Sequence, residues 1–243
     1  MFEPKFSELT RAGALEALGH AFFTLSVGMG AVMAYGAYLP AETSIGKTSV
    51  AVVFADTGIA ILAGLVIFPI VFANGLDPAT GPGLIFQSLP LAFGQLPGGA
   101  IIAGLFFLLL TFAAWTSAIS LMEPAAAWFI ERWDMTRRRA AWIVGGTIWA
   151  LGFLSVWSFS LLSEFRPFGM TMFDNLDFLT SNIMLPFGGL MIVFFAGWIM
   201  CRNSTADELD PEAGIGFRAW RFSARFIAPA AVILIFLNAV GLL

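Results

Sequence analysis

Residues 22–36 read FFTLSVGMGAVMAYG. Long apolar side chains surround Thr24-Leu25-Ser26-Val27-Gly28-Met29-Gly30, a run that holds hydroxyls and two glycines. Each glycine inside a helix costs about 1 kcal/mol relative to alanine and leaves the backbone free to unwind. Hydrocarbon offers no hydrogen bonds, so irregular backbone at membrane depth is tolerated only where it is buried in protein or lines a cavity. A glycine pair also serves close helix packing. With Thr24 and Ser26 beside it, and with Asp56, Thr116 and Ser117 on other apolar stretches, a binding site at mid-depth is the better account. Exposed carbonyl dipoles and half-helix ends there can hold a small cation and a zwitterion.

The rest of the chain supplies the membrane. Of 243 residues, 59% are hydrophobic and 12% charged, with mean hydropathy +0.87, more apolar surface than a water-soluble domain of this size hides. A helix needs about 20 apolar residues to cross a bilayer. Six stretches qualify: 15–39, 49–72, 99–130, 140–162, 180–200 and 220–242. They are continuous rather than alternating, which excludes a β-barrel. The fold class is all-α, a polytopic helical bundle in one transmembrane domain. The segment 73–98 carries Gly and Pro punctuation around the apolar LIFQSLPLAF, so it is expected as a folded cap on the outer face; a loop lying on headgroups is the alternative. The tract ADELDPEAG (206–214) reads as an exposed acidic loop.

Nine of the twelve Lys and Arg fall in or beside alternate loops: Lys47; Arg132, Arg137, Arg138 and Arg139; Arg202, Arg218, Arg221 and Arg225. Lys5, Arg11 and Arg166 lie on the other side. Basic loops stay cytoplasmic, which places both chain ends outside an inner (plasma) membrane. Five of eight tryptophans flank the basic loops as an interfacial belt. An outside start with no signal peptide predicts an odd number of preceding spans and a longer protein. Cys201, the single cysteine, forms no intrachain disulfide and receives no role.

A charge inside a span costs about 2.5–3.5 kcal/mol on insertion scales, so each one needs a reason. Asp56 has no basic residue one turn away and requires a cation, a proton or another helix to compensate it. Glu123 precedes Pro124, where it serves either function or the backbone groups the proline frees. Glu131 ends the third span, and His20 suits a hydrogen bond to a neighbouring helix. Ala113, Thr116, Ser117 and Ser120 recur at spacings of three and four, a small and hydroxylated stripe on one helix face.

At these residues the chain resembles the sodium:neurotransmitter symporter family, specifically its bacterial amino-acid-transporting branch. The motifs are GHAFFTLSVGMGAVMAYGAYL (19–39), DTGIAILAGLVIFP (56–69), GPGLIFQSLPLAFGQLPGG (81–99), FAAWTSAISLMEP (112–124) and FDNLDFLTSNIMLPFGGL (173–190). The resemblance implies spans six to eleven of an inverted-repeat transporter with an unwound sixth helix, the earlier helices being absent here. It implies substrate contacts at Phe23, Thr24, Ser26, Met29, Ser117 and Leu121. Thr24 and Asp56 match ligands of a first sodium site; Ala113 (through its carbonyl), Thr116 and Ser117 match a second. Met29 stands where many members carry an aromatic gate. Asp177 and Glu131 match outer- and inner-gate acids whose arginine partners belong to the missing half. The cap at 81–99 resembles the outer loop that closes the vestibule. Where many animal members pair Asn with Ser and require chloride, this chain has Asp56 and Ala60, so chloride is not expected.

The function this implies is sodium-coupled symport of an amino acid or small amine, with partners in the lipid bilayer, the substrate and N-terminal helices of the same gene or a separate chain. Nucleic acid is not among the partners. A transport-inactive fragment or half-transporter is the alternative. An intramembrane enzyme using Asp56, Glu123 and His20 lacks a nucleophile–base pair and metal-ligand spacing.

Overall fold

The structure, a computed structural model, describes residues 9–40, 42–75, 83–209 and 214–242. Lys5, the part of the cap at 76–82 and the acidic residues within 210–213 lie outside the described residues. Among those described there are helices and turns and no strand. The helices are α1 (Arg11–Thr24), α2 (Ala31–Gly36), α3 (Ile45–Ala73), α4 (Leu84–Gly94), α5 (Gly99–Trp133), α6 (Arg137–Trp157), α7 (Met172–Ile199), α8 (Arg202–Leu209) and α9 (214–239). Five of them, α3, α5, α6, α7 and α9, are long and apolar enough to cross a membrane. The stretch 15–39 is instead two short helices separated by turns.

The chain divides into two compact units, 50–119 and 9–49 with 120–242. In the first, Val71 on α3 and Leu89 and Phe93 on α4 are fully or almost fully buried, with Phe106 of α5 against them. The Phe93 and Phe106 ring centroids lie 5.5 Å apart. The apolar residues of the segment 73–98 therefore cover a small hydrophobic core, which explains why a connection would carry Leu84, Leu89 and Phe93.

The second unit is organised around α7. Its start lies eight residues before the expected 180, because Thr171 and Asp174 form a capping box. Thr171 Oγ1 accepts from the Asp174 amide at 3.1 Å, and Asp174 Oδ2 accepts from the Thr171 amide at 3.2 Å. The buried Ser158 hydroxyl accepts from the Phe173 amide at 3.0 Å, holding the entry to α7 against the end of α6. That helix stops at Trp157, short of the expected 162, where the chain passes into turns.

Three of the four wide, π-type turns among the described residues share one feature, which Phe195–Ile199 lacks. They occupy Leu84–Ser88, Phe178–Met184 and Ser223–Ile227, and each ends two residues before a proline: Pro90, Pro186 and Pro229. Proline cannot donate to the carbonyl four residues back, and its ring collides with it. Widening the preceding turn moves that carbonyl aside without ending the helix.

Removing the α7 cap with Thr171→Ala should lower unfolding stability by about 1 kcal/mol. Thermal unfolding in detergent checks this, with Thr171→Ser expected to restore most of the loss.

Candidate functional site

Helix α1 ends by a Schellman motif. The Val27 amide donates back to the Phe22 carbonyl at 3.2 Å and the Ser26 amide to the Phe23 carbonyl at 2.9 Å, bracketing Ser26 at φ 52°. That left-handed position is usually a glycine, and a side chain there costs about 1–2 kcal/mol. Gly28 at φ 94° and Gly30 at φ 80° continue the irregular path, and the helix resumes when the Ala34 amide reaches the Gly30 carbonyl at 2.9 Å. Three left-handed residues in alternation thus break the span between Thr24 and Ala31.

The break is held by backbone meeting backbone. A methyl group on Gly28 would collide with the Leu185 carbonyl oxygen and lie 2.9 Å from the Gly189 nitrogen. Reciprocally, one on Gly188 would collide with the Gly28 carbonyl, and one on Gly189 with the Phe22 ring. Gly30 sits against Pro124 of α5, and Ala31 is buried. The stretch LPFGG of α7 is therefore the platform on which the interruption rests.

The expected site residues are divided between the units. In the first, Asp56 sits half-buried on α3, and Ala113, Thr116 and Ser117 share α5. Thr116 Oγ1 donates to the Ala113 carbonyl at 3.0 Å, so two oxygens expected at the second ion site are already neighbours. In the second, Phe23, Thr24, Ser26 and Met29 line the end of α1 and the break, with Leu121 on α5. Thr24 Oγ1 donates to the Ala21 carbonyl at 3.2 Å. Hydroxyl, carbonyl and carboxylate oxygens are hard donors that suit an alkali cation. Among the described residues no group of three or more His, Cys, Asp or Glu gathers to hold a metal ion. Asp177 accepts from Ser181 Oγ at 3.0 Å, Glu131 is exposed at the end of α5, and His20 is exposed on α1.

One cluster escapes sequence reading. Glu123 accepts from Tyr38 Oη at 2.9 Å through one carboxylate oxygen and from Arg137 Nη2 at 2.9 Å through the other. Tyr35 Oη lies 2.6 Å from Ser120 Oγ on the same side of α5. Glu123 is 13% exposed and Arg137 69%, so the cation stays hydrated while it compensates a sheltered carboxylate. This settles what Glu123 touches: two side chains rather than the backbone freed by Pro124. Its partner lies fourteen residues on, across the α5–α6 turn, and only the basic cluster of 137–139 hints at it.

A profile of the Sodium:neurotransmitter symporter family matches residues 1–242. The chain belongs to that family. It is 37% identical over 243 residues to YhdH of Bacillus subtilis, an uncharacterised sodium-dependent transporter, covering 99% of this chain and 54% of that one. Similarity to the Sodium- and chloride-dependent GABA transporter 2 of Bos taurus is 25% identity over 89% of this chain and 37% of that one. The crystal structure of MhsT in complex with L-phenylalanine superposes with a TM-score of 0.88 at 42% identity, covering 97% of this chain and 54% of that one. The chain thus spans about half the length of YhdH and of MhsT. Members of the family are symporters, which leaves the reading as an intramembrane enzyme without support.

Gly28→Ala should lose well over 2 kcal/mol, combining left-handed strain of about 1–2 kcal/mol with the collision on Leu185. Gly36→Ala, with open space around its Cα, should stay within about 1 kcal/mol of the parent or gain stability. Thermal unfolding of the two variants side by side measures the difference.

Proposed function

We propose that this chain supplies the C-terminal half of a sodium-coupled symporter for an amino acid or related small amine. The observation that carries the reading is the break at residues 25–30, where Ser26, Gly28 and Gly30 hold the backbone left-handed beside a fixed platform. In this reading Phe23, Thr24, Ser26, Met29, Ser117 and Leu121 contact the solute. Thr24 and Asp56 ligate one sodium ion, and the Ala113 carbonyl with Thr116 and Ser117 ligates a second. Sodium is cargo here: each charge entering down 100 mV releases about 2.3 kcal/mol, the drive for uptake. Phenylalanine is the first solute to try, because MhsT was solved with it.

Asp56 carries the ion chemistry. A fixed carboxylate beside a sodium ion supplies the negative charge that a halide would otherwise bring, so chloride is not required. Asp177 and Glu131 act as outer- and inner-gate acids, each meeting a basic group from the helices that precede this half. In this reading the basic loops lie in the cytoplasm and both chain ends outside, with the segment 73–98 capping the outer face.

A second reading rests on length. Since the chain spans about half of its relatives, it transports nothing by itself and requires a separate N-terminal chain, or it is an inactive fragment.

Uptake of labelled phenylalanine and other neutral amino acids into proteoliposomes tests both. The chain would be assayed alone and together with the product of any reading frame immediately upstream. We expect uptake from the completed protein under a sodium gradient and none with choline; equal uptake in choline would overturn the symport reading. Transport by the chain alone would remove the second. Replacing chloride with gluconate should leave the rate unchanged, and Asp56→Asn should lower it more than tenfold. A rate that rises with chloride in the parent would count against the role given to Asp56.

A further inference from the structure

We infer that the basic cavity between α8 and the first turns of α9 is a binding site for the phosphate headgroup of an anionic lipid. The cavity measures about 390 Å³ and is lined by Arg202 of α8, Arg218, Arg221 and Arg225 of α9, and phenylalanines including Phe222 and Phe226. Spacings of three and four put the α9 arginines on one helix face.

Two of the guanidiniums are held by hydrogen bonds to main-chain carbonyls, and Arg221 Cζ stands 5.9 Å from the centre of the Phe217 ring. Arg225 Nε donates to the Gly197 carbonyl at 2.7 Å, and its Cζ stands 5.0 Å from the centre of the Trp198 ring. Arg218 Nε donates to the Gly214 carbonyl at 2.9 Å. Both contacts use the Nε edge and leave the terminal nitrogens for another acceptor. Among the described residues no carboxylate forms an ion pair with any of the four, Asp207 and Glu208 of α8 included. Four cations converge without an ion pair among the described residues, and their mutual repulsion falls when an anion binds.

The geometry selects phosphate, and the surroundings select a lipid. Guanidinium forks pair with phosphate oxygens two at a time, which a point charge does not do. The phenylalanine walls give an inorganic ion nothing, whereas the glycerol and first methylenes of a lipid cover them. Residues Gly216–Ala239 form a helix apolar enough to cross a membrane, so its arginine-bearing first turns fall at headgroup depth. Basic pockets beside spanning helices suit anionic headgroups.

The full chain in neutral detergent would be titrated with phosphatidylglycerol, phosphatidylcholine or inorganic phosphate while its thermal unfolding is followed. Phosphatidylglycerol should raise the midpoint at concentrations where the other two do nothing. Arg202→Gln/Arg221→Gln should weaken the apparent affinity about 30-fold, taking each basic residue near the surface at its usual contribution. Lys47→Gln/Arg138→Gln, which removes equal charge elsewhere, should leave it unchanged. Should the first pair fail to fold, Arg202→Lys/Arg221→Lys keeps the charge and removes the forks, and an intermediate loss is expected. The proposal fails if the distant pair weakens binding equally, if inorganic phosphate alone gives the shift, or if phosphatidylglycerol gives none.

Discussion

The contact between Gly28 and the α7 stretch Leu185–Gly189 is the constraint on which the second unit's interrupted helix depends. Three glycines, 28, 188 and 189, meet there without a side chain between them, so main chain lies on main chain and on the Phe22 ring. An unwound segment inside a membrane would ordinarily wander or refold into helix. Here it cannot refold, because a straight helix would withdraw Gly28 from the platform. It cannot wander either, since Gly30 is stopped by Pro124 on its other flank. Irregular backbone becomes as well placed as the helices around it, which is what a binding site built from peptide groups needs.

The platform has its own cause. Pro186 stands inside LPFGG and would normally distort α7, yet the wide turn at Phe178–Met184 absorbs the distortion before it reaches the glycines. The same arrangement precedes Pro90 in α4 and Pro229 in α9. Proline here sets the path of a continuous helix instead of terminating it. In α4 the path brings Leu89 and Phe93 onto Val71, which gives the first unit its core.

These devices differ in how legible they are in the sequence. The break itself could be read, because glycine spacing and neighbouring hydroxyls are local signals with a known cost. That Ser26, rather than a glycine, takes the first left-handed position could not, since it follows from where the Schellman bonds close. The partnership of Gly28 with Gly188 and Gly189 spans some 160 residues, and no periodicity connects them. Helix ends coincide with sharp changes in hydropathy at Ala73 of α3 and Gly99 of α5. They depart from it at α7, where the capping box of Thr171 and Asp174 starts the helix in polar sequence.

The arginines show the same limit in electrostatics. Read along the chain, Arg137, Arg202, Arg218, Arg221 and Arg225 form one class, basic residues in or beside alternate loops. In space they separate by what each touches. Arg137 compensates Glu123 and, with Tyr38, ties α5 to α6 and to the residues after α2. Arg225 anchors α9 to the end of α7 through Gly197 and Trp198. Arg202 and Arg221 reach neither a carboxylate nor a carbonyl among the described residues, although they line the same cavity. Orientation in the membrane needs only the sum of these charges, whereas an unspent guanidinium fork in a phenylalanine-walled cavity is evidence for a ligand. A count of basic residues cannot tell the two apart; the hydrogen bonds of each arginine can.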